Sequence, residues 1–149
     1  MKVESVTKLL GACYEAKRIA ELMPELPKGM KPSHIHVVDI ISQLQKANGV
    51  VRISDIGAAL RVTNPSITRL VNDLVKLGVV GKTQSVEDKR VFTVSLTGLG
   101  QTYYKRYLDD YHHEVAVQLS GISETDIAIT AQVIHKAYQI MTNRKTELS

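Results

Sequence analysis

The sequence predicts a mainly α-helical fold with one small β-hairpin. Apolar residues recur at helical spacing along most of the chain, and Pro or Gly residues separate the periodic segments. One stretch, near residues 79–96, instead alternates apolar and polar residues with a period of two. Because two short helices precede this hairpin directly, the predicted centre is a helix-turn-helix followed by a β-wing, with further helices on both sides.

Length and composition are those of an ordinary globular protein. The chain has 149 residues, of which 44% are hydrophobic and 23% charged, so it can bury a core without a metal or a disulfide. No apolar run approaches the ~20 residues that cross a bilayer. No signal-peptide core follows the first residues, and the single Cys cannot form an internal disulfide. We therefore expect a cytoplasmic protein that makes no membrane contact.

The N-terminal third predicts two helices. The first runs from about Val3 to Met23, and the Pro- and Gly-rich segment 24–32 ends it. The second starts near Pro32, a residue suited to a first turn, and stops around Asn48-Gly49. A short β-like stretch over residues 50–53 follows.

The centre of the chain predicts two short helices joined by a turn. Ser54 is expected to cap a helix that runs through Leu60. Thr63 or Asn64 is expected to cap a second helix that stops at Gly78. This spacing is typical of a helix-turn-helix.

The remaining segments predict the hairpin and two more helices. Residues 79–84 and 91–96 are expected to form strands around a polar turn. Thr97 is then expected to cap a long helix to about Leu119, and Ser123 to begin the last one.

Positive charge is concentrated between residues 52 and 97, where seven cationic residues stand against four acidic ones and supply most of the net charge of +4. On a helical wheel, the second short helix places a polar face opposite an apolar seam. Arg can bridge the two acceptors of guanine, Asn can pair with adenine, and Ser, Thr and Lys can hold phosphates. The alternative is the solvated face of an ordinary amphipathic helix. The candidate DNA-binding residues here are Ser54, Asn64, Pro65, Ser66, Thr68, Arg69, Asn72 and Lys76.

The hairpin adds four candidates, Lys82, Asp88, Lys89 and Arg90. An Arg suits a narrow, electronegative minor groove, and a neighbouring carboxylate can orient its guanidinium. The alternative is a charged turn that only keeps the hairpin soluble. The order of helix, turn, helix and basic wing favours binding to double-stranded DNA.

These segments resemble the winged helix-turn-helix regulators of the MarR family. Residues 53–60 resemble the family's first short helix, residues 65–74 resemble its recognition helix, and residues 78–80 resemble the turn into its wing. Glu87-Asp88-Lys89-Arg90, followed by Val94-Ser95-Leu96-Thr97 and Gly100, is similar to the wing signature. The resemblance implies a homodimer whose terminal helices intertwine and whose two winged helices face a pseudo-palindromic operator. It also implies a repressor released by a small organic effector, such as an aromatic acid.

Site residues and domains follow from the same resemblance. It implies that Arg90 enters the minor groove, oriented by Asp88. The wing departs from the family at Gly81-Lys82 and at Ser85-Val86, which leaves the role of Lys89 open. The implied major-groove contacts are Ser66, Thr68, Arg69 and Asn72. The implied effector pocket is lined by Tyr14, His34, Val38 and Tyr107. The implied domains are an N-terminal dimerisation helix with its linker (1–31), the winged helix-turn-helix domain (32–100) and the C-terminal dimerisation helices (101–149).

Other functions have weaker support in the sequence. The same resemblance makes Cys13 a candidate peroxide sensor, although a lone Cys on an apolar stripe is usually a small buried hydrophobe. His34 with His36, and His112 with His113, lack metal-ligand spacing, so no metal or cofactor is expected. No nucleophile motif or phosphate-cradling loop is present, which argues against an enzyme. A winged helix used only for protein contacts remains an alternative to DNA binding.

Overall fold

The computed structural model describes residues 1–147, which form two compact units. The larger unit spans Met23–His113, and the smaller combines Met1–Leu22 with the residues from Glu114 onward. The domain boundaries after residues 31 and 100 remain a prediction, and residues 148 and 149 of the C-terminal domain lie outside the described part. No helix among the described residues is long and apolar enough to span a bilayer.

The smaller unit contains two long helices. Helix α1 spans Val3–Glu21 and ends slightly before the predicted position. The last helix of the chain spans Glu124–Glu147, and the Ser123 hydroxyl accepts the Asp126 amide at its start. Within α1 no residue is fully buried, and apolar side chains of both helices remain exposed.

The larger unit is the winged helix. Its helices and strands are, in chain order, α2 (Pro32–Asn48), β1 (Val51–Arg52), α3 (Ile53–Leu60), α4 (Asn64–Lys76), β2 (Val80–Gln84), β3 (Phe92–Leu96) and α5 (Gly98–Tyr104). The strands form an antiparallel sheet in the order β1-β3-β2. The mainly α fold with a small β-wing, predicted from periodicity, is confirmed.

The core of the larger unit packs α2 and α4 against the sheet. The apolar seam predicted for α4 is confirmed, because Ile67, Val71 and Leu74 are all 0% exposed. Burying each such side chain stabilises the fold by about 1.5–3 kcal/mol. Since this seam faces the core, the opposite face of α4 is turned to solvent.

The start of α3 differs from the prediction. The expected N-cap, Ser54, lies inside the helix, which begins at Ile53 with Arg52 at the N-cap position. The Asp55 carboxylate accepts the Arg52 amide at 2.9 Å. Asp55 therefore accepts a hydrogen bond from the amide of the N-cap residue, as the third residue of a capping box does.

The ends of α4 agree with the sequence. The helix begins at Asn64 with Thr63 at the N-cap position, although the Thr63 hydroxyl donates to the Ser66 hydroxyl at 3.0 Å and does not cap the backbone. Gly78 follows the helix with φ of 73°. This left-handed conformation is open to Gly and turns the chain into the wing.

The junction between wing and α5 is held by Thr97. Its hydroxyl accepts the Gly100 amide at 3.1 Å, so the predicted N-cap is confirmed. The same hydroxyl donates to the Gly78 carbonyl at 2.6 Å. Thr97 thus links the start of α5 to the end of α4.

The long helix after the wing contains a π-helical segment that the sequence pattern did not predict. Helix α5 continues into this segment, Lys105–Asp110, and then into α6, Tyr111–Gln118. Lys105 Nζ lies 2.7 Å from the Asp110 carboxylate, a spacing of five residues that suits a π-helix. This contact raises the pKa of Lys105.

Candidate nucleic-acid interface

The solvent face of α4 carries the polar side chains that the helical wheel places there. Ser66, Arg69 and Lys76 are exposed, and Thr68 and Asn72 are half-buried. Pro65 occupies the first turn of the helix, where its missing amide costs no hydrogen bond. The face therefore presents hydroxyl, amide and cationic groups to solvent from a rigid helix.

A groove of about 380 Å³ lies between α4 and the wing, which we define as residues 80–96. We call it the central groove. It is lined by Arg52, Ile53, Ser54, Asn64, Thr68, Lys82, Arg90, Val91 and Phe92. Three of these residues are cationic and none is acidic. Such a concave surface raises the local potential and attracts anions such as phosphates.

The central groove brings together candidates from three elements. Ser54 comes from α3, Asn64 and Thr68 come from α4, and Lys82 and Arg90 come from the wing. Sequence reasoning missed Arg52, which lies beside Ser54 at the N-cap of α3. A cation directly before a predicted helix was the signal that could have identified it.

Lys82 connects the wing to α4. Its Nζ atom donates to Asn72 Oδ1 at 3.0 Å and lies 4.4 Å from the centroid of the Phe92 ring. An ammonium over an aromatic face is attracted by the negative potential of the ring. The two contacts hold Lys82 in one position beside α4.

Asp88 and Arg90 form a compact pair in the wing turn. Arg90 Nε donates to Asp88 Oδ1 at 3.2 Å, and Arg90 Nη2 donates to Asp88 Oδ2 at 3.3 Å. The Arg90 side chain is nevertheless 90% exposed. These side-chain hydrogen bonds, followed by one from the Arg90 backbone amide, lower the pKa of Asp88. The carboxylate therefore orients a guanidinium that stays open to solvent.

The wing turn is built by Ser85. Its hydroxyl accepts hydrogen bonds from the Glu87 and Asp88 amides, both at 3.3 Å. The Gln84 side chain donates to the Lys89 carbonyl at 2.6 Å, while the Lys89 side chain is exposed. The backbone of the turn is thus held locally, and the position of Lys89 leaves its ammonium available.

Three of the four predicted effector-pocket residues lie inside the larger unit. His34, Val38 and Tyr107 are 2%, 0% and 6% exposed. His34 Nδ1 accepts the Lys31 amide at 3.1 Å. Tyr14 is exposed on α1 of the smaller unit. The pocket remains a prediction.

His34 also faces α4. Its buried Nε2 atom has no hydrogen-bond partner among the described residues and lies 3.6 Å from Asp73 Oδ2. His36, His112, His113 and His135 are exposed.

Cys13 lies in the smaller unit. It is a half-buried free thiol that lines a mostly apolar groove of about 420 Å³ between α1 and the last helix. Apolar neighbours such as Leu9 and Ile134 suit a packing role for the side chain. A redox role for Cys13 remains a prediction.

The central part of the chain is similar to one protein family. Residues 28–91 match the sequence profile of the MarR family. The chain is 23% identical over 120 residues to the HTH-type transcriptional repressor MdtR of Bacillus subtilis (strain 168), covering 80% of this chain and 75% of that protein.

Two solved structures share the fold. One is Streptococcus pneumoniae FabT in complex with DNA, with a TM-score of 0.67, 24% identity and coverage of 95% of this chain and 99% of that one. The other is the PcaV transcriptional regulator of Streptomyces coelicolor in complex with its natural ligand, with a TM-score of 0.65, 16% identity and coverage of 90% and 89%.

Proposed function

We propose that this chain is a sequence-specific DNA-binding transcriptional regulator of the MarR family, and the match of residues 28–91 to the model of that family supports the proposal. It acts in the cytoplasm as a homodimer on a pseudo-palindromic operator and catalyses no reaction. The observation that carries the proposal is the central groove, where three cations and no acidic residue lie between α4 and the wing.

The proposed complex places α4 in the major groove. A B-DNA major groove admits one α-helix, and α4 has 13 residues whose polar face points away from the core. Arg69 and Ser66 are exposed on that face, where they can reach base edges or phosphates. Arg90 extends from the wing toward the adjacent minor groove.

The proposed dimer uses the smaller unit. Leu10 and Ile19 of α1, and Ile129 and Ile140 of the last helix, are 42%, 64%, 52% and 60% exposed. Apolar surface of this extent along two long helices is typical of an interaction surface. Two copies related by a two-fold axis present two recognition helices about one helical turn apart on DNA.

The sign and control of regulation are proposed from the relatives. MdtR is a repressor, and PcaV was solved with its natural ligand. We propose the same for this chain: it represses transcription, and a small organic effector, such as an aromatic acid, releases the repression.

The decisive experiment selects bound duplexes from a random DNA pool. The wild type is compared with the double variant Arg69→Ala/Arg90→Ala. A matched control, Lys28→Ala/Arg106→Ala, removes two cations that lie outside α4 and the central groove. Circular dichroism is recorded on each protein to establish folding, and sedimentation equilibrium to establish mass, with a dimer expected at twice 16.5 kDa.

We expect the wild type and the control to enrich a two-fold palindrome and the Arg69/Arg90 variant not to enrich it. If folded, dimeric wild type enriches no sequence, specific DNA binding by the free protein is wrong, and a protein-binding role gains support. A monomer that binds single half-sites would contradict the dimer alone.

A further inference from the structure

We propose that Lys82 sets the base preference of Asn72, so that this Asn recognises guanine and rejects adenine. The inference rests on the proposed DNA-binding function. It starts from the hydrogen bond in which Lys82 Nζ, on the wing, donates to Asn72 Oδ1, on α4, at 3.0 Å.

The contact defines which way the Asn72 amide points. The oxygen and nitrogen of an Asn side chain are hard to distinguish by shape, so its orientation has to come from its partners. An ammonium has three donors and no acceptor. Lys82 can therefore face only the oxygen of Asn72, which turns the amide nitrogen to the other side.

Lys82 is itself held in place. Its Nζ atom lies 4.4 Å from the Phe92 ring centroid, and the side chain is half-buried and lines the central groove. The hydrogen bond between Lys82 and Asn72 thus lies beside the central groove, on the surface that we propose meets the DNA. Asn72 is half-buried and lies one helical turn after Thr68, which also lines the groove.

Pairing with adenine needs an Asn oxygen that accepts from the N6 amino group and an Asn nitrogen that donates to N7. Asn72 Oδ1 already accepts from Lys82. An adenine amino group that donated to the second lone pair of this oxygen would lie beside the Lys82 ammonium. Both groups are hydrogen-bond donors, so their hydrogens would repel each other. The pair formed by Asn72 and Lys82 consequently disfavours adenine.

Guanine offers the complementary pattern. Its major-groove edge carries two acceptors, N7 and O6, and the pair formed by Asn72 and Lys82 presents amide and ammonium hydrogens. The positive charge also favours the electronegative guanine edge. Under this proposal Asn72 departs from the usual pairing of Asn with adenine.

The test compares the base preferences of the wild type and of single variants on the same random DNA pool. Asn72→Ala identifies the symmetric pair of operator positions that Asn72 contacts, because preference is lost only there. Lys82→Met removes the ammonium and keeps an unbranched side chain beside Phe92. Lys76→Met is the matched control, since it removes one charge from the exposed end of α4.

The expected result is guanine at those positions for the wild type. Lys82→Met should lower the guanine-to-adenine ratio there by about tenfold, as expected for one bidentate base contact. Lys76→Met should weaken binding at all sequences and leave that ratio unchanged. Lys82→Arg, which keeps the donors, should retain guanine and provides a second test if Lys82→Met does not fold.

Three results would overturn the inference while leaving the proposed function intact. These are adenine at the Asn72 positions in the wild type, an unchanged ratio in folded Lys82→Met, or no position that responds to Asn72→Ala. In each case the wild type still enriches an operator. A wild type that enriches nothing would instead overturn the proposed function, and this inference with it.

Discussion

Asp88 holds Arg90 through three hydrogen bonds, one from the Arg90 backbone amide at 3.0 Å and two from the guanidinium. The residues are two apart in the wing turn, and the Arg90 side chain remains 90% exposed. An exposed ion pair contributes little to folding stability. The contact mainly orients the Arg90 side chain, because it fixes the direction in which the guanidinium leaves the wing. The remaining N–H donors of the guanidinium stay open to solvent.

The first prediction concerns the titration of Asp88. Side-chain hydrogen bonds from Arg90, the larger cause, and the Arg90 amide lower its pKa below the ordinary value of 3.8. Arg90→Ala should raise the midpoint of Asp88 toward 3.8, and not fully to it, because the backbone amide remains. Carboxyl ¹³C shifts measured against pH report the midpoint.

The pH window of this effect follows from its sign. A lowered carboxyl pKa stabilises the folded wing above pH 3.8, and the contribution is lost as the pH falls through the lowered value. The difference in the free energy of unfolding between wild type and Arg90→Ala that comes from Asp88 should therefore vanish in strong acid. Lys89→Ala serves as the control because it removes a neighbouring cation and keeps Arg90. If the Asp88 midpoint rose equally in Lys89→Ala, the lowered pKa would come from the positive charge of the wing and not from the Arg90 hydrogen bonds.

The second prediction concerns the affinity for DNA. Arg90→Ala should weaken operator binding about tenfold and reduce the salt dependence by about one counterion. Folding stability should change by less than about 0.5 kcal/mol, since the side chain is exposed. Titrations at several salt concentrations measure both quantities. Arg90→Lys separates charge from geometry, and full affinity in Arg90→Ala would show that the wing is not used.

The third prediction concerns Gly100. A Cβ atom at this position would overlap the Val79 carbonyl oxygen, which already accepts the Thr97 amide at 3.1 Å. Gly100→Ala should therefore cost about 1–3 kcal/mol of stability. Gly98→Ala is the matched control in the same helix, where a Cβ meets nothing within 4 Å. Urea unfolding of both variants decides the point, and equal midpoints would contradict the close approach.

The fourth prediction concerns the Thr97 hydroxyl. Thr97→Val removes the acceptor for the Gly100 amide and the donor to the Gly78 carbonyl while keeping the shape of the side chain. A loss of about 1–2 kcal/mol is expected. Thr97→Ser keeps the hydroxyl and should retain most of the stability in thermal unfolding. A loss in Thr97→Ser as large as that in Thr97→Val would assign the effect to the methyl group.

Local features of the sequence determined the elements of this protein. Apolar residues at helical spacing predicted the buried seam of α4, because side-chain direction in a helix depends only on position along it. Thr97 as the N-cap of α5 and Gly78 as the end of α4 were also predictable, since each depends on the backbone within a few residues. The start of α3 was placed too late, because Arg52 occupies the N-cap position and Asp55, inside the helix, accepts a hydrogen bond from its amide.

The tertiary structure decided how the candidate residues combine. Lys82 reaches Asn72 only because Gly78 turns the wing back beside α4, and no periodicity encodes that approach. Arg52 joins the central groove because β1, which contains Arg52, pairs antiparallel with β3. Local propensity depends on neighbours in the chain, whereas the chemistry of this surface depends on side chains that come together only after the sheet and helices pack.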